Sequence, residues 1–167
     1  MSYQEHTQKA KHHVAKVAVI TCSDTRTEEN DTSGAFILQS VRDAGHEVVS
    51  SVIVREDPGL LLHSLETAVK AGASIVLING GTGLSKRDNT FEALSRVLES
   101  PLPGFGELFR SLSYEEIGAA SMLSRAQAGR YSHAMVFSMP GSTPAVKLAM
   151  TKLILPQIGH IVSELTK

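Results

Sequence analysis

The residues best equipped for chemistry in this chain lie in one stretch, IVLINGGTGLSKRDNTFEAL, at positions 75–94. Gly80, Gly81 and Gly83 can bring backbone N–H groups close to an anion and can adopt positive φ without a side-chain penalty. Thr82 adds a hydroxyl donor. A helix expected from Thr90 turns its amino end, which favours negative charge, toward the same place. The group such a loop suits is phosphate. A tight strand-to-helix turn needs only one glycine, so the cluster favours a ligand over geometry alone. The loop has neither the G-x-x-x-x-G-K-[ST] spacing of a P-loop nor the G-x-G-x-x-G of a dinucleotide fingerprint.

Asp88 follows Lys86 and Arg87, five positions beyond Gly83. Asp88 or Asn89 is suited to cap the next helix. A carboxylate beside a phosphate also suits Mg²⁺, which takes oxygen ligands and bridges phosphates. Asp57, in VREDPG, is the second candidate, with the alternative role of a turn residue before Pro58. Cys22 is the only cysteine, which excludes an internal disulfide; at the end of an apolar run it reads as a buried thiol rather than a nucleophile. No histidine–cysteine grouping has zinc spacing. His12 and His13 sit in KAKHHVAK, part of an expected solvated tail over residues 1–13, and adjacent side chains there are not expected to fix a metal.

The elements that must position these residues are legible from periodicity. Apolar, β-branched runs predict strands over 14–23, 46–56 and 74–78, the first followed by a polar loop over 24–34. Helical spacing predicts helices over 35–45, over 58–71 ending at Gly72, and from Thr90. The order β-α-β-α-β-α is that of a parallel sheet covered on both faces. Past Glu99 the pattern changes. PLPGFGELFRSL predicts a proline-glycine turn and a short helix over 106–112, and YEEIGAASML a second short helix. SRAQAGRYSHAMVFSM predicts two short strands around a turn, the later one over 134–138, and a last helix covers most of 144–165, bent at Pro156. If the first and third strands are neighbours with the second outside, their carboxyl ends open onto one crevice. Ser23 and Asp24 of TCSD, the Asn79–Gly83 loop and the MPGST turn at 139–143 would gather there.

With 167 residues, 42% of them apolar, the chain suits one domain, here expected over 14–167. A net charge of −1 gives no broad attraction to nucleic acid. The first residues lack a signal-peptide core and no apolar run approaches the ~20 residues of a membrane span, so a soluble cytoplasmic protein with no membrane partner is expected.

NGGTGLSKRDNTFEAL, PGFGELFRSLSYEEIGAASMLSRAQAG and FSMPGSTPAV together resemble the molybdenum cofactor biosynthesis proteins of the MoaB/MogA family. DTSG at 31–34 resembles its B-type branch, and the likeness runs from residue 16 to about 158. The resemblance implies a three-layer α/β/α domain with a mostly parallel central sheet, assembled as a homotrimer or homohexamer, that binds molybdopterin. Its active members use MgATP to transfer AMP to the terminal phosphate of molybdopterin, releasing pyrophosphate. The resemblance assigns catalysis and Mg²⁺ binding to Asp57 and Asp88. It assigns molybdopterin binding to Gly80, Gly81, Thr82, Gly83, Ser111 and Ser124, and the nucleotide side to Ser23, Asp24, Pro140, Gly141 and Ser142. Asn79 departs from the family's usual threonine but can still donate and accept. Some B-type members lack the arginine before the aspartate and are inactive; this chain keeps Arg87-Asp88, which favours activity. Two alternatives stand beside the enzyme: a molybdopterin-binding paralogue without catalysis, and a flavodoxin-like electron carrier. The second is poorly served by a chain without tryptophan and with 5% aromatics.

Overall fold

The β-branched run at 16–22 forms the strand around which the sheet is built. The computed structural model describes residues 13–167, so His12 and nearly all of the expected tail lie outside the described residues; His13 is exposed. Six strands form: β1 (Lys16–Cys22), β2 (Glu47–Val54), β3 (Ile75–Asn79), β4 (Ser100–Pro101), β5 (Gln127–Tyr131) and β6 (Ala134–Met139). Their order is β2-β1-β3-β6-β5-β4. The first four in that order run parallel, and β5 and β4 are antiparallel additions at the edge. The condition set on the sequence, β1 beside β3 with β2 outside, is met.

β1 and β3 are buried on both faces, which is why they read as continuous apolar runs rather than alternating ones. Alternate side chains feed two separate cores. Val17, Val19 and Leu77 face a layer made by α1 (Thr32–Asp43), α4 (Pro103–Ile117), α5 (Thr143–Leu148) and α6 (Leu155–Leu165), with Ile37, Phe109, Phe137 and Met150 filling the space between. Ala18, Ile20 and Val76 face α2 (Pro58–Lys70) and α3 (Thr90–Val97), packed against Leu61, Leu65 and Leu94. The result is the expected three-layer α/β/α arrangement.

Three readings need correction. The turn and two short helices expected after Glu99 are one helix of 15 residues, α4, followed by a 3₁₀ turn over Gly118–Leu123. Pro103 sits in the first turn of α4, where its missing N–H costs nothing, so the proline starts the helix instead of delaying it. The two-residue β4 was not expected at all; it pairs with Gly129 and Arg130. Finally, Thr143–Leu165 is long and apolar enough, by length and composition alone, to cross a membrane. One of its faces, with Val146, Met150, Ile154, Ile158 and Val162, is packed into the core. The predicted break is present: a π-helical turn, Ala149–Ile154, ends just before Pro156, whose ring and absent N–H disrupt regular α pairing.

Candidate functional site

β1, β3 and β6 end side by side, with Thr21 opposite Asn79 and Asn79 opposite Met139. A buried hydrogen-bond chain ties these ends to α1. Asn79 Nδ2 donates to Thr21 Oγ1 at 2.9 Å, and the Thr21 hydroxyl donates to Asp31 Oδ2 at 2.6 Å. Asp31 Oδ1 accepts from the Gly34 amide at 2.9 Å and so caps α1. Asparagine at 79 thus has a donor role here, as the reading of that departure allowed.

The two glycines that follow are demanded by geometry. Gly80 has φ +98°, and a Cβ there would lie 2.2 Å from the Cys22 carbonyl oxygen. Gly81 has φ +65°, and a Cβ would lie 2.2 Å from Thr90 Oγ1. The Gly80 N–H donates to the Met139 carbonyl at 3.0 Å, continuing the sheet. This corrects the expected cradle: Gly80 shapes the loop but has no amide to offer an anion. The amides of Gly81, Thr82 and Gly83 have no protein acceptor among the described residues.

The loop separates two clefts. One, of about 400 Å³, is lined by Ser23, Arg26, Glu56, Gly80, Gly141 and Ser142 among others. The other, of about 370 Å³, is lined by Thr82, Gly83, Asp88, Ser124 and Pro140 among others. Gly81 and Gly141 belong to both. The MPGST turn is held by Ser33, whose hydroxyl donates to the Gly141 carbonyl at 2.8 Å. Ser124 brings to the second cleft a buried hydroxyl oxygen with no hydrogen-bond partner among the described residues, the condition of a group awaiting a ligand or water. Ser111 is not brought to this place: it is exposed on α4 and lines neither cleft. Pro140 is on the side of Thr82 and Ser124, not on that of Ser23 and Ser142.

Glu56 lines the first cleft and Asp88 the second, while Asp57 lines neither. Asp57 caps α2, accepting from Leu60 N at 2.9 Å, and shares a narrow recess with Cys22, Glu56, Asn89 and Thr90. Asp88 does not cap α3; that position is Asn89, and Asp88 instead accepts from the Ser85 amide at 3.2 Å and from its hydroxyl. Asp24 lines neither cleft but accepts from the Glu56 amide at 3.2 Å, linking the loops after β1 and β2. Burial pushes the Glu56 carboxyl up, and the charges of Asp88 and Asp24 push it further, with Arg87 opposing. Asp24 itself pairs with Arg55 at 3.5 Å, and Arg26 lines the first cleft beside Glu56. Among the described residues no three His, Cys, Asp or Glu side chains group closely enough to hold a metal unaided. Mg²⁺ does not require such a cage, because it binds through one or two carboxylates together with substrate phosphates and water; Asp88, on the second cleft, offers one such carboxylate. Cys22 is buried, as expected, and burial pushes its thiol up to about 12.

Two residues escaped sequence reasoning. Glu56 differs from a surface glutamate only by what surrounds it. Arg125 sits beside Ser124 in MLSR, and its guanidinium donates to the carbonyls of Thr82, Gly83 and Asp88.

A doubly wound sheet, with a glycine loop between two clefts at the strands' carboxyl ends, defines a domain that binds phosphate-bearing ligands at its topological switch point. Comparison with known proteins narrows that class. Residues 18–160 match the family described as "Probable molybdopterin binding domain". The chain is 50% identical to molybdenum cofactor biosynthesis protein B of Bacillus cereus, covering 99% of this chain and 98% of that one. It is 47% identical to the protein of the same name from Bacillus subtilis, over 100% and 99%. A crystal structure of a molybdenum cofactor biosynthesis protein B superposes with TM-score 0.83 at 50% identity, over 92% of this chain and 96% of that one. The tungsten cofactor synthesizing protein of Pyrococcus furiosus gives 0.85 at 38% identity, over 92% and 98%. The chain belongs to the molybdopterin-binding domain family, and its two Bacillus relatives both bear the name molybdenum cofactor biosynthesis protein B. The electron-carrier alternative finds no support in these matches.

Proposed function

We propose that this protein acts in molybdenum cofactor biosynthesis by transferring AMP from ATP to the terminal phosphate of molybdopterin, with release of pyrophosphate. The observation that carries the reading is the pair of clefts meeting across Gly81 and Gly141, one suited to each substrate. In this reading the nucleotide lies against Ser23, Gly141 and Ser142. The molybdopterin phosphate rests on the amides of Gly81, Thr82 and Gly83, with the unpartnered Ser124 hydroxyl as a further donor. Asp57 and Asp88 would hold Mg²⁺, which supplies charge neutralisation on the phosphates.

Transfer of this kind depends on positioning and charge stabilisation. An oxygen of the molybdopterin phosphate forms the new bond to the α-phosphorus as the bond from that phosphorus to the β-phosphate bridge breaks, and pyrophosphate leaves with the electron pair. A phosphate monoester is already largely ionised near neutral pH, with a second pKa of ~6, so no strong base is needed. That agrees with a site offering hydroxyls, amides and carboxylates but no serine–histidine pair.

The test is pyrophosphate release from molybdopterin and MgATP. Asp88→Asn should abolish release while leaving molybdopterin binding largely intact; release at the wild-type rate by that variant refutes the assignment. Wild-type protein that binds molybdopterin and releases no pyrophosphate is instead a carrier. The homo-oligomer implied by the family finds a candidate contact in Leu108, Tyr114, Ile117, Met122 and Leu123, exposed apolar side chains on α4 and the turn after it.

A further inference from the structure

Arg125 lies in the turn between the 3₁₀ segment and β5, yet only 19% of its side chain is exposed. Its Nε donates to the Thr82 carbonyl at 3.1 Å, and its Nη2 to the carbonyls of Gly83 and Asp88, the latter at 3.1 Å. Its Nη1 pairs with the Glu92 carboxylate in the first turn of α3, and the guanidinium carbon stands 5.2 Å from the centre of the Phe91 ring. The remaining hydrogen bonds of residues 82–88 are local, between Ser85 and Asp88 and from Asn89 to the Arg87 carbonyl. Among the described residues, every long-range hydrogen bond to this segment comes from Arg125.

The consequence follows from the peptide plane. In a trans peptide the N–H points opposite to the C=O of the same unit. Carbonyls of Thr82, Gly83 and Asp88 drawn onto one guanidinium therefore turn the amides of Gly83, Leu84 and Asn89 away from it. The same grip fixes the backbone from which the Asp88 carboxylate projects. Only a planar fork with five donors can serve three carbonyls and a carboxylate together; a lysine ammonium offers three donors from a single point. The pairing with Glu92 offsets the arginine's charge locally, so its contribution to an anion is mainly geometric.

We propose that Arg125 is the positioning residue of the phosphate loop, aiming the Gly83 amide and the Asp88 carboxylate by gathering the loop's carbonyls. The catalytic part of this inference rests on the proposed adenylyl transfer; the structural part does not. Hydrogen–deuterium exchange decides the structural part. Arg125→Lys should accelerate exchange of the amides at 83–89 by about tenfold or more while β1 and β3 keep wild-type protection, because local opening is separable from global unfolding. Glu92→Gln, which leaves the carbonyl grip in place, should leave the loop's exchange near wild type. Unchanged loop exchange in Arg125→Lys overturns the proposal. So does acceleration spread equally over β1 and β3, which would make Arg125 a general stabiliser. Arg125→Gln repeats the measurement if the lysine variant does not fold. In the pyrophosphate assay the lysine variant should lose kcat more than it raises KM for MgATP, the mark of a misplaced group rather than lost ground-state binding. A change confined to KM refutes the aiming role. Absence of pyrophosphate from the wild type refutes the proposed function and leaves the exchange result to stand or fall alone.

Discussion

Asp31→Ala should be among the more damaging single substitutions at the site, and its cost can be worked from contacts. Asp31 is 9% exposed and accepts two hydrogen bonds, from the Gly34 amide and from the Thr21 hydroxyl. Loss of an aspartate cap typically costs ~1 kcal/mol. Loss of a buried hydrogen bond to a charged acceptor costs ~1.5–3 kcal/mol, and here it leaves the Thr21 O–H without an acceptor. Together these give ~2–4 kcal/mol. For a chain of 167 residues, 1 kcal/mol lowers Tm by ~2–4 °C, so a fall of ~4–16 °C is expected. Urea titration should show a lower midpoint with unchanged slope, since the fold is retained. Asp31→Asn should cost less: its carbonyl can still cap α1, while its NH₂ meets a threonine oxygen that already accepts from Asn79. A Thr21→Val/Asp31→Ala double-mutant cycle should give a coupling above ~0.5 kcal/mol. A loss for Asp31→Ala below ~0.5 kcal/mol would refute the claim that this buried chain holds the strand ends.

Two further outcomes are expected, beside those for Asp88 and Arg125. His46 accepts from the Ala15 amide through Nδ1 at 3.2 Å, and burial lowers its pKa from 6.5, so the neutral ring is the folded form. Its contribution is present above pH ~6.5 and is lost as pH falls through the lowered folded value; the stability difference between wild type and His46→Gln should therefore shrink between pH 7.5 and 5, and a pH-independent difference would contradict this. The apolar surface of α4 and the 3₁₀ turn should bury itself between copies: light scattering should give a mass above the monomer's 17.9 kDa, and Ile117→Lys should reduce it, whereas an unaltered mass would place the contact elsewhere.

The parts of the fold legible in the sequence were those whose burial leaves an unambiguous pattern. β1 and β3, covered on both faces, could only be continuous apolar runs; their adjacency with β2 outside entered as a condition, and the sheet order meets it. α4 was misread because a proline-glycine pair looks the same whether it opens a helix or forms a turn; the packing of Phe105 and Phe109 into the core decides it. β4, with two residues, is too short to have a period. At the site, the glycine loop and Asp88 were visible because their residue types are unusual at a strand exit. The Gly80 amide was miscounted because its partner is a main-chain carbonyl on β6. Arg125 was missed for the same reason: its main partners are carbonyls, which every residue possesses, so no spacing of side-chain types records them. Ser111 differs again: its assignment came from resemblance alone, and in the structure it is exposed on α4 and lines neither cleft.

The wall between the clefts explains why so much of the site is backbone. At its crossing point Gly141 approaches Gly80 so closely that a Cβ on Gly141 would lie 3.1 Å from the Gly80 Cα, and a Cβ on Gly80 would strike the Cys22 carbonyl. Side chains are excluded at the crossing point by contact, so only main-chain thickness separates the two clefts there. Two phosphates brought that near one another would repel, and the carboxylates of Glu56 and Asp88, one on each cleft, would add to the repulsion. A partition this thin serves a ligand pair only when a cation and the loop amides offset the gathered charge. Under the proposed adenylyl transfer, the thin glycine wall and the carboxylates, which look contradictory as a phosphate site when taken separately, become consistent: two phosphates would be joined across a divalent ion.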